Sequence, residues 1–189
     1  MERPERFELI GGRERREIVL LPHDPAWAAR AEQLIAQVRA AFDGIAVRPA
    51  HVGSTAVPGL AAKPIVDLQA ATTTPPGGEE ARLTAALAPL GFELRVREPD
   101  HLMYRTPARD VHLHLWEAGS EHERRHLLFR DHLRADAADR ERYAAVKREL
   151  AARDWDDMND YAQAKDAVIA EITARAEAWA VASGWRAAP

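Results

Sequence analysis

No cysteine occurs among the 189 residues. Disulfides, thiolate metal sites and cysteine nucleophiles are therefore excluded. No apolar run approaches the roughly 18 residues that a bilayer span requires. The first 16 residues, Met1 to Arg16, are charged and lack the apolar centre of a signal peptide. Excess positive charge is also missing. The formal net charge is -4, so nothing in the overall balance attracts nucleic acid or an acidic membrane. Any anion site must come from a local grouping of Arg and Lys. The expectation is a cytoplasmic protein with no membrane or nucleic-acid partner.

Hydrophobic residues make up 47% and charged residues 30%, an ordinary globular balance. A chain of this length hides roughly 70% of its unfolded surface. It is read as a single domain over residues 1–189, with an α/β part at 18–118 and a helical part at 119–183. Ile18 to Leu21 is a short apolar run, expected as a strand. Asp24 caps a helix opened by Pro25, and Trp27, Ala31, Leu34, Ile35, Val38 and Phe42 follow at helical spacing. Gly44 is expected to end that helix.

Ile45 to Val52 and Ile65 to Leu68 are expected as strands, with a loop between Ala56 and Pro64. A polar loop, Thr72 to Gly78, precedes a helix marked by Leu83, Ala86, Leu87 and Leu90 and stopped by Gly91. Phe92 to Val96, Leu102 to Arg105 and Val111 to Trp116 are further strands. In the last, Val111, Leu113 and Leu115 point one way and His112, His114 and Trp116 the other. From Glu121 onward the pattern is helical, with segments at about Glu121–Arg134, Ala137–Ala152 and Asp156–Ser183.

The stretch richest in chemistry is HVGSTAVPGLAAKPIVD, His51 to Asp67. A strand ends in Gly53-Ser54-Thr55. Gly lets a ligand approach the backbone, while the hydroxyls and turn N–H groups suit phosphate oxygens. Asp67 on the next strand suits a divalent cation, and Lys63 suits phosphate charge. A surface turn with a helix cap would read the same in the tripeptide alone. His112 and His114, two apart on a strand, share one face and have workable spacing for Zn²⁺ or another transition metal with Asp67. Hydrogen-bonded histidines within the sheet are the alternative. Arg124, Arg125, Arg130 and Arg134 crowd one helix, with Arg130 and Arg134 at i,i+4. Tyr143 and Lys147 are also at i,i+4, as are Tyr161 and Lys165. Lys165 falls on an apolar stripe, where it either snorkels or meets an anion.

The string HVGSTAVPGLAAKPIVD closely resembles the signature of the GrpB family, and RRHLLFRDHLR at 124–134 resembles that family's second block. The resemblance runs from about Val19 to Ala176. It implies an α+β fold of the nucleotidyltransferase superfamily: a mixed sheet, flanking helices and a helical C-terminal part. A similar domain occurs fused to dephospho-CoA kinase in some bacteria. In that superfamily a Gly-Ser turn precedes a strand bearing Asp-x-Asp/Glu, and a later strand adds a third carboxylate. Here Asp67 matches the first carboxylate, Gln69 stands at the second, and His112 and His114 occupy the later strand. One carboxylate in place of three is a poor holder of two Mg²⁺ ions.

Three functions fit these residues. In the first, a divalent metal (Mg, Mn or Zn) and ATP or another nucleotide bind between the turn and the basic helices. Gly53, Ser54, Thr55, Lys63, Arg130 and Lys165 then hold phosphate, Asp67 and Ser54 act in catalysis, and a nucleotidyl group passes to a small molecule. The second is a regulatory module that keeps a nucleotide or CoA-like ligand without chemistry. The third is a metal-dependent hydrolase built on Asp67, His112 and His114.

Overall fold

The computed structural model describes residues 7–43 and 47–188. Its centre is a six-stranded mixed sheet. In chain order the strands are β1 (Glu8–Leu9), β2 (Ala50–Val52), β3 (Val66–Thr72), β4 (Glu93–Glu98), β5 (His101–Arg105) and β6 (Val111–Glu117). Their spatial order is β1-β4-β5-β6-β3-β2, in which β3 and β6 run parallel and the other neighbours antiparallel. The helices are α1 (Ala26–Ala41), α2 (Glu80–Leu87), α3 (Glu121–Ala135), α4 (Ala137–Ala151), α5 (Met158–Gln163) and α6 (Asp166–Ser183). Among the described residues no helix is long and apolar enough to cross a membrane.

The alternation along β6 divides the sheet into two chemistries. Val111, Leu113 and Leu115 are fully buried in the main core, with Leu68 and Ala70 of β3, Leu102 and Tyr104 of β5, and apolar residues of α1 and α2. Each such side chain contributes about 1.5–3 kcal/mol when fully buried. The opposite face carries Asp67 and Gln69, paired in register with His112 and His114. A second apolar cluster joins Val57 and Leu60 to Leu133, Tyr143, Val168 and Ile172. It fixes the helical part against the turn that follows β2.

Caps set where the helices begin. Asp24 Oδ1 accepts from the Ala26 N–H at 2.8 Å, as expected for an N-cap before Pro25. At α3, Ser120 Oγ accepts from Glu123 N, and Glu123 Oε2 accepts from Gly119 N at 2.7 Å. Asp136 caps α4 through Asp139 N at 2.8 Å.

Several boundaries differ from the sequence reading. Ile18 to Leu21 is not a strand. It makes one isolated bridge, Leu21 to Ala62, and Val19 and Leu21 are exposed. The segment is apolar but has no ladder partner. The strand expected from Ile45 starts only at Ala50, because Pro49 cannot donate to a ladder. Gly44 and Ile45 lie outside the described residues. The strand at Ile65 continues to Thr72. The long last helix is interrupted between α5 and α6. There the Lys165 N–H bonds the Ala162 carbonyl, a tighter i→i−3 turn.

Candidate functional site

The cavity forms where the β2–β3 edge meets the helical part. Val52 and Asp67 are directly paired across these strands. Gly53 follows with φ +70°, a conformation that L side chains rarely adopt. An added Cβ there would fall against the Asp67 side chain, within 2.9 Å of its Cβ. Glycine therefore lets the turn lie on Asp67. Residues Ser54–Ala56 make one 3-10 turn. Thr55 is buried beneath it. Its hydroxyl donates to the Ile65 carbonyl at 3.2 Å, and its Oγ1 is 2.9 Å from His51 Nε2. Those bonds leave His51 Nε2 as the donor to Thr55. Burial, foremost, lowers His51 to about 4, so the ring is neutral. Thr55 braces the turn from behind and does not line the cavity, whereas Gly53 and Ser54 do.

On the sheet floor, His112 Nδ1 lies 3.1 Å from Asp67 Oδ1. Asp67, His112 and His114 each place a donor atom within 4.8 Å of the others. Two imidazoles and one carboxylate form a donor set suited to zinc or a similar transition metal, rather than to oxygen-seeking Mg²⁺. Burial pushes the Asp67 carboxyl upward, but the His112 bond and charge and the Lys63 charge outweigh it and hold the group below its usual range. Burial drives His114 well below its usual value, helped by His101 and His126. A relay backs His114. Glu98 Oε2 meets His101 Nδ1 at 2.7 Å, and His101 Nε2 meets His114 Nδ1 at 3.0 Å. In the tautomer where His114 donates through Nδ1 to His101 Nε2, His114 keeps an Nε2 lone pair for a ligand bond. His101 also stacks on Trp116, with ring centroids 3.9 Å apart. His126 of α3 borders the same cavity. Burial lowers it to about 4, and its Nδ1 is buried with no hydrogen-bond partner.

The opposite wall is cationic. Lys63, Lys147 and Lys165 are the chain's only lysines, and all three line this cavity. The other 23 basic residues are arginines. Among the described residues none of the three lysines forms a carboxylate ion pair within 4.0 Å, whereas many arginines do. Lys147 Nζ sits 3.0 Å from Ser54 Oγ and 2.5 Å from the Ala61 carbonyl, above the Tyr143 ring at 4.9 Å. Lys165 and Lys63 share the Tyr161 ring, at 4.2 and 5.3 Å from its centroid. Burial and then Lys165 lower Lys147 to about 7. Burial and then Lys63 lower Lys165 to about 8, and burial lowers Lys63 as well. The cavity volume is about 580 Å³, with Leu20, Ile65, Phe129, Leu133 and Ile169 as its apolar wall.

The structure thus gathers Gly53, Ser54, Lys63, Asp67, His112, His114 and Lys165 around one space. It does not bring Arg130 there. That guanidinium is buried and engaged with the His51 and Ala188 carbonyls and with Asp131. Arg124 is paired with Glu177, and Arg134 with the Ala56 carbonyl and Asp131, leaving Arg125 as the cavity's arginine. Gln69 is buried under α3, its Nε2 donating to the Glu123 carbonyl at 3.3 Å, and it does not reach the cavity. Lys147, His101 and His126 were not assigned from sequence. The scarcity of lysine was the available signal for Lys147, since a chain that uses Arg nearly everywhere uses Lys in just these three places.

A family model described as GrpB protein matches residues 17–175. A UPF0157 protein of Streptomyces coelicolor is 51% identical over 173 residues, covering 90% of each chain. The crystal structure of the conserved protein GrpB from Enterococcus faecalis superposes with a TM-score of 0.73 at 27% identity, covering 85% of this chain and 99% of that one. A dephospho-CoA kinase of Mycolicibacterium paratuberculosis is 30% identical over 194 residues, which take in 88% of this chain and 48% of the kinase.

Proposed function

The chain belongs to the GrpB family, and from that footing we propose that its cavity binds the polyphosphate of a nucleotide beside one divalent transition metal. The observation that carries this reading is the convergence of all three lysines, unpaired with carboxylates among the described residues, on one cavity, where Lys147 meets the Ser54 hydroxyl. Gathering three lysines into one partly dry space disfavours their charge unless an anion joins them. A polyphosphate supplies several negative charges within the reach of three lysines, and the aromatic and apolar walls suit the flat remainder of a nucleotide. Asp67, His112 and His114 would hold the metal, which as a Lewis acid would polarise a phosphate oxygen. The placement of Gln69 away from the cavity supports one metal rather than two. The fold supports a nucleotidyltransferase-like ancestry through its Gly-Ser turn and adjoining Asp67 strand. The dephospho-CoA kinases that share about half their length with this chain are named for a reaction on a CoA precursor, which also supports a phosphate-bearing ligand.

A melting screen tests the reading. ATP, GTP, CTP, UTP and coenzyme A are added with Mg²⁺, Mn²⁺ or Zn²⁺, since a bound ligand stabilises the native state by mass action. At least one nucleoside triphosphate should raise the midpoint, and Lys165→Met should abolish that rise. A flat response to every phosphate compound contradicts the reading.

A further inference from the structure

We infer that Ser54 and Lys147 form a nucleophile–base pair, in which Lys147 Nζ receives the Ser54 hydroxyl proton and Ser54 Oγ attacks a phosphorus of the bound polyphosphate. This rests on the phosphate-ligand reading for its substrate, but the pairing itself stands on geometry. Ser54 Oγ and Lys147 Nζ are 3.0 Å apart, within proton-transfer reach, and both line the cavity. Lys147 is buried and, among the described residues, forms no carboxylate ion pair within 4.0 Å that would hold it as an ammonium. The Ala61 carbonyl takes one of its N–H bonds at 2.5 Å. As an ammonium Lys147 donates to Ser54 Oγ; in the neutral amine an N–H keeps the Ala61 bond, and the contact to Ser54 reverses so that the lone pair takes the hydroxyl proton.

The surroundings favour that neutral form. Burial is the largest influence, and the charges of Lys165, Lys63 and Arg148 add to it against Asp67, so that Lys147 stands at about 7. Tyr143, on the same helix, also hydrogen-bonds Ser54 and remains protonated, its hydroxyl pushed up by burial. The site needs a base from somewhere. Gln69 stands at the second superfamily carboxylate and is buried under α3 without lining the cavity, and the proposed function gives Asp67 to the metal. Lys147 is the group placed to act.

The step balances as follows. The Ser54 O–H bond breaks and its proton passes to Lys147. A bond forms from Oγ to phosphorus, while the bond from phosphorus to its bridging oxygen breaks. That oxygen leaves with the electron pair and the remaining phosphate charge, facing Lys63 and Lys165. A serine phosphoester results, to be passed to an acceptor hydroxyl or to water.

An aryl fluorophosphonate tests the pair without any nucleotide, since attack by Ser54 Oγ expels fluoride and leaves a stable ester. Intact mass and peptide mapping read the site. The expected result is a single label on Ser54, absent from Ser54→Ala. Its rate should rise with pH about a midpoint near 7. The rate should fall at least tenfold in Lys147→Arg, which keeps a cation but cannot accept the proton, and likewise in Lys147→Met. Circular dichroism melts confirm that each variant is folded. No label on Ser54, a label elsewhere, or equal rates in wild type and the folded Lys147 variants would overturn the pair. The melting screen stands apart from this. Triphosphate stabilisation without labelling rejects the pair alone, and labelling without any phosphate ligand rejects the nucleotide reading alone.

Discussion

Gly53 lies directly on the side chain of Asp67, so closely that no Cβ fits between them. The Gly53–Thr55 turn and the Asp67 carboxylate are therefore one mechanical unit. Gly53→Ala adds a steric overlap to a backbone held at φ +70°. It should cost about 1–3 kcal/mol of stability, measured by urea denaturation, and displace Asp67 enough to weaken metal binding. An alanine variant as stable as wild type would show that the turn can move away freely.

The lysine cluster should make the ligand-free protein more stable at alkaline pH. Lys147 and Lys165 stand at about 7 and about 8, below the ordinary value of 10.5. Between those values and 10.5 the unfolded chain binds more protons than the folded one. Stability attributable to these groups is therefore complete above 10.5 and is lost as pH falls toward 7. Melting midpoints should rise from pH 7 to pH 9, and Lys147→Met should remove part of the rise while raising the midpoint at pH 7. Nucleotide affinity should run the other way, weakening over the same interval as the ammonium charge is lost.

His101 should control metal affinity without touching the metal. His101→Phe keeps an aromatic ring on Trp116 but removes the bond to His114 Nδ1. A loss of about 10–100-fold in Zn²⁺ or Co²⁺ affinity is expected, measured by competition with a chromogenic chelator. An unchanged affinity would mean that His114 is oriented by packing alone.

Arg130 should prove structural. Its removal leaves the His51 and Ala188 carbonyls without their donor. Ala188 is exposed and can bond water, so the loss falls on the half-buried His51 carbonyl and on Asp131, at about 1–3 kcal/mol. Arg130→Ala should lower the melting midpoint, while its nucleotide affinity, measured well below that midpoint, should fall less than that of Lys165→Met. Equal losses would return Arg130 to the ligand site.

Much of the sheet floor was legible in the sequence because its information is local. The period of two along β6 separated His112 and His114 from the core leucines, and the unbroken string from His51 to Asp67 carried the turn. The cationic wall was less legible. Lys147 reaches Ser54 from 93 residues away, a distance that no helical spacing reports. His101 enters through strand register, where its pairing with Trp116 places the ring. Arg130 misled because an arginine that braces backbone carbonyls has the same helical position as one that grips phosphate. Ile18 to Leu21 misled because apolar patterning marks a strand's composition and not the presence of a partner strand.

Calorimetric titration with ATP, ADP and AMP at pH 7.5, repeated in two buffers of different ionisation enthalpy, tests the lysine cradle most directly. Affinity should fall in that order as phosphates are removed, and ATP should draw protons onto the protein as Lys165, which stands at about 8, becomes fully charged. Binding that ignores the number of phosphates, or that moves no protons, would contradict the account.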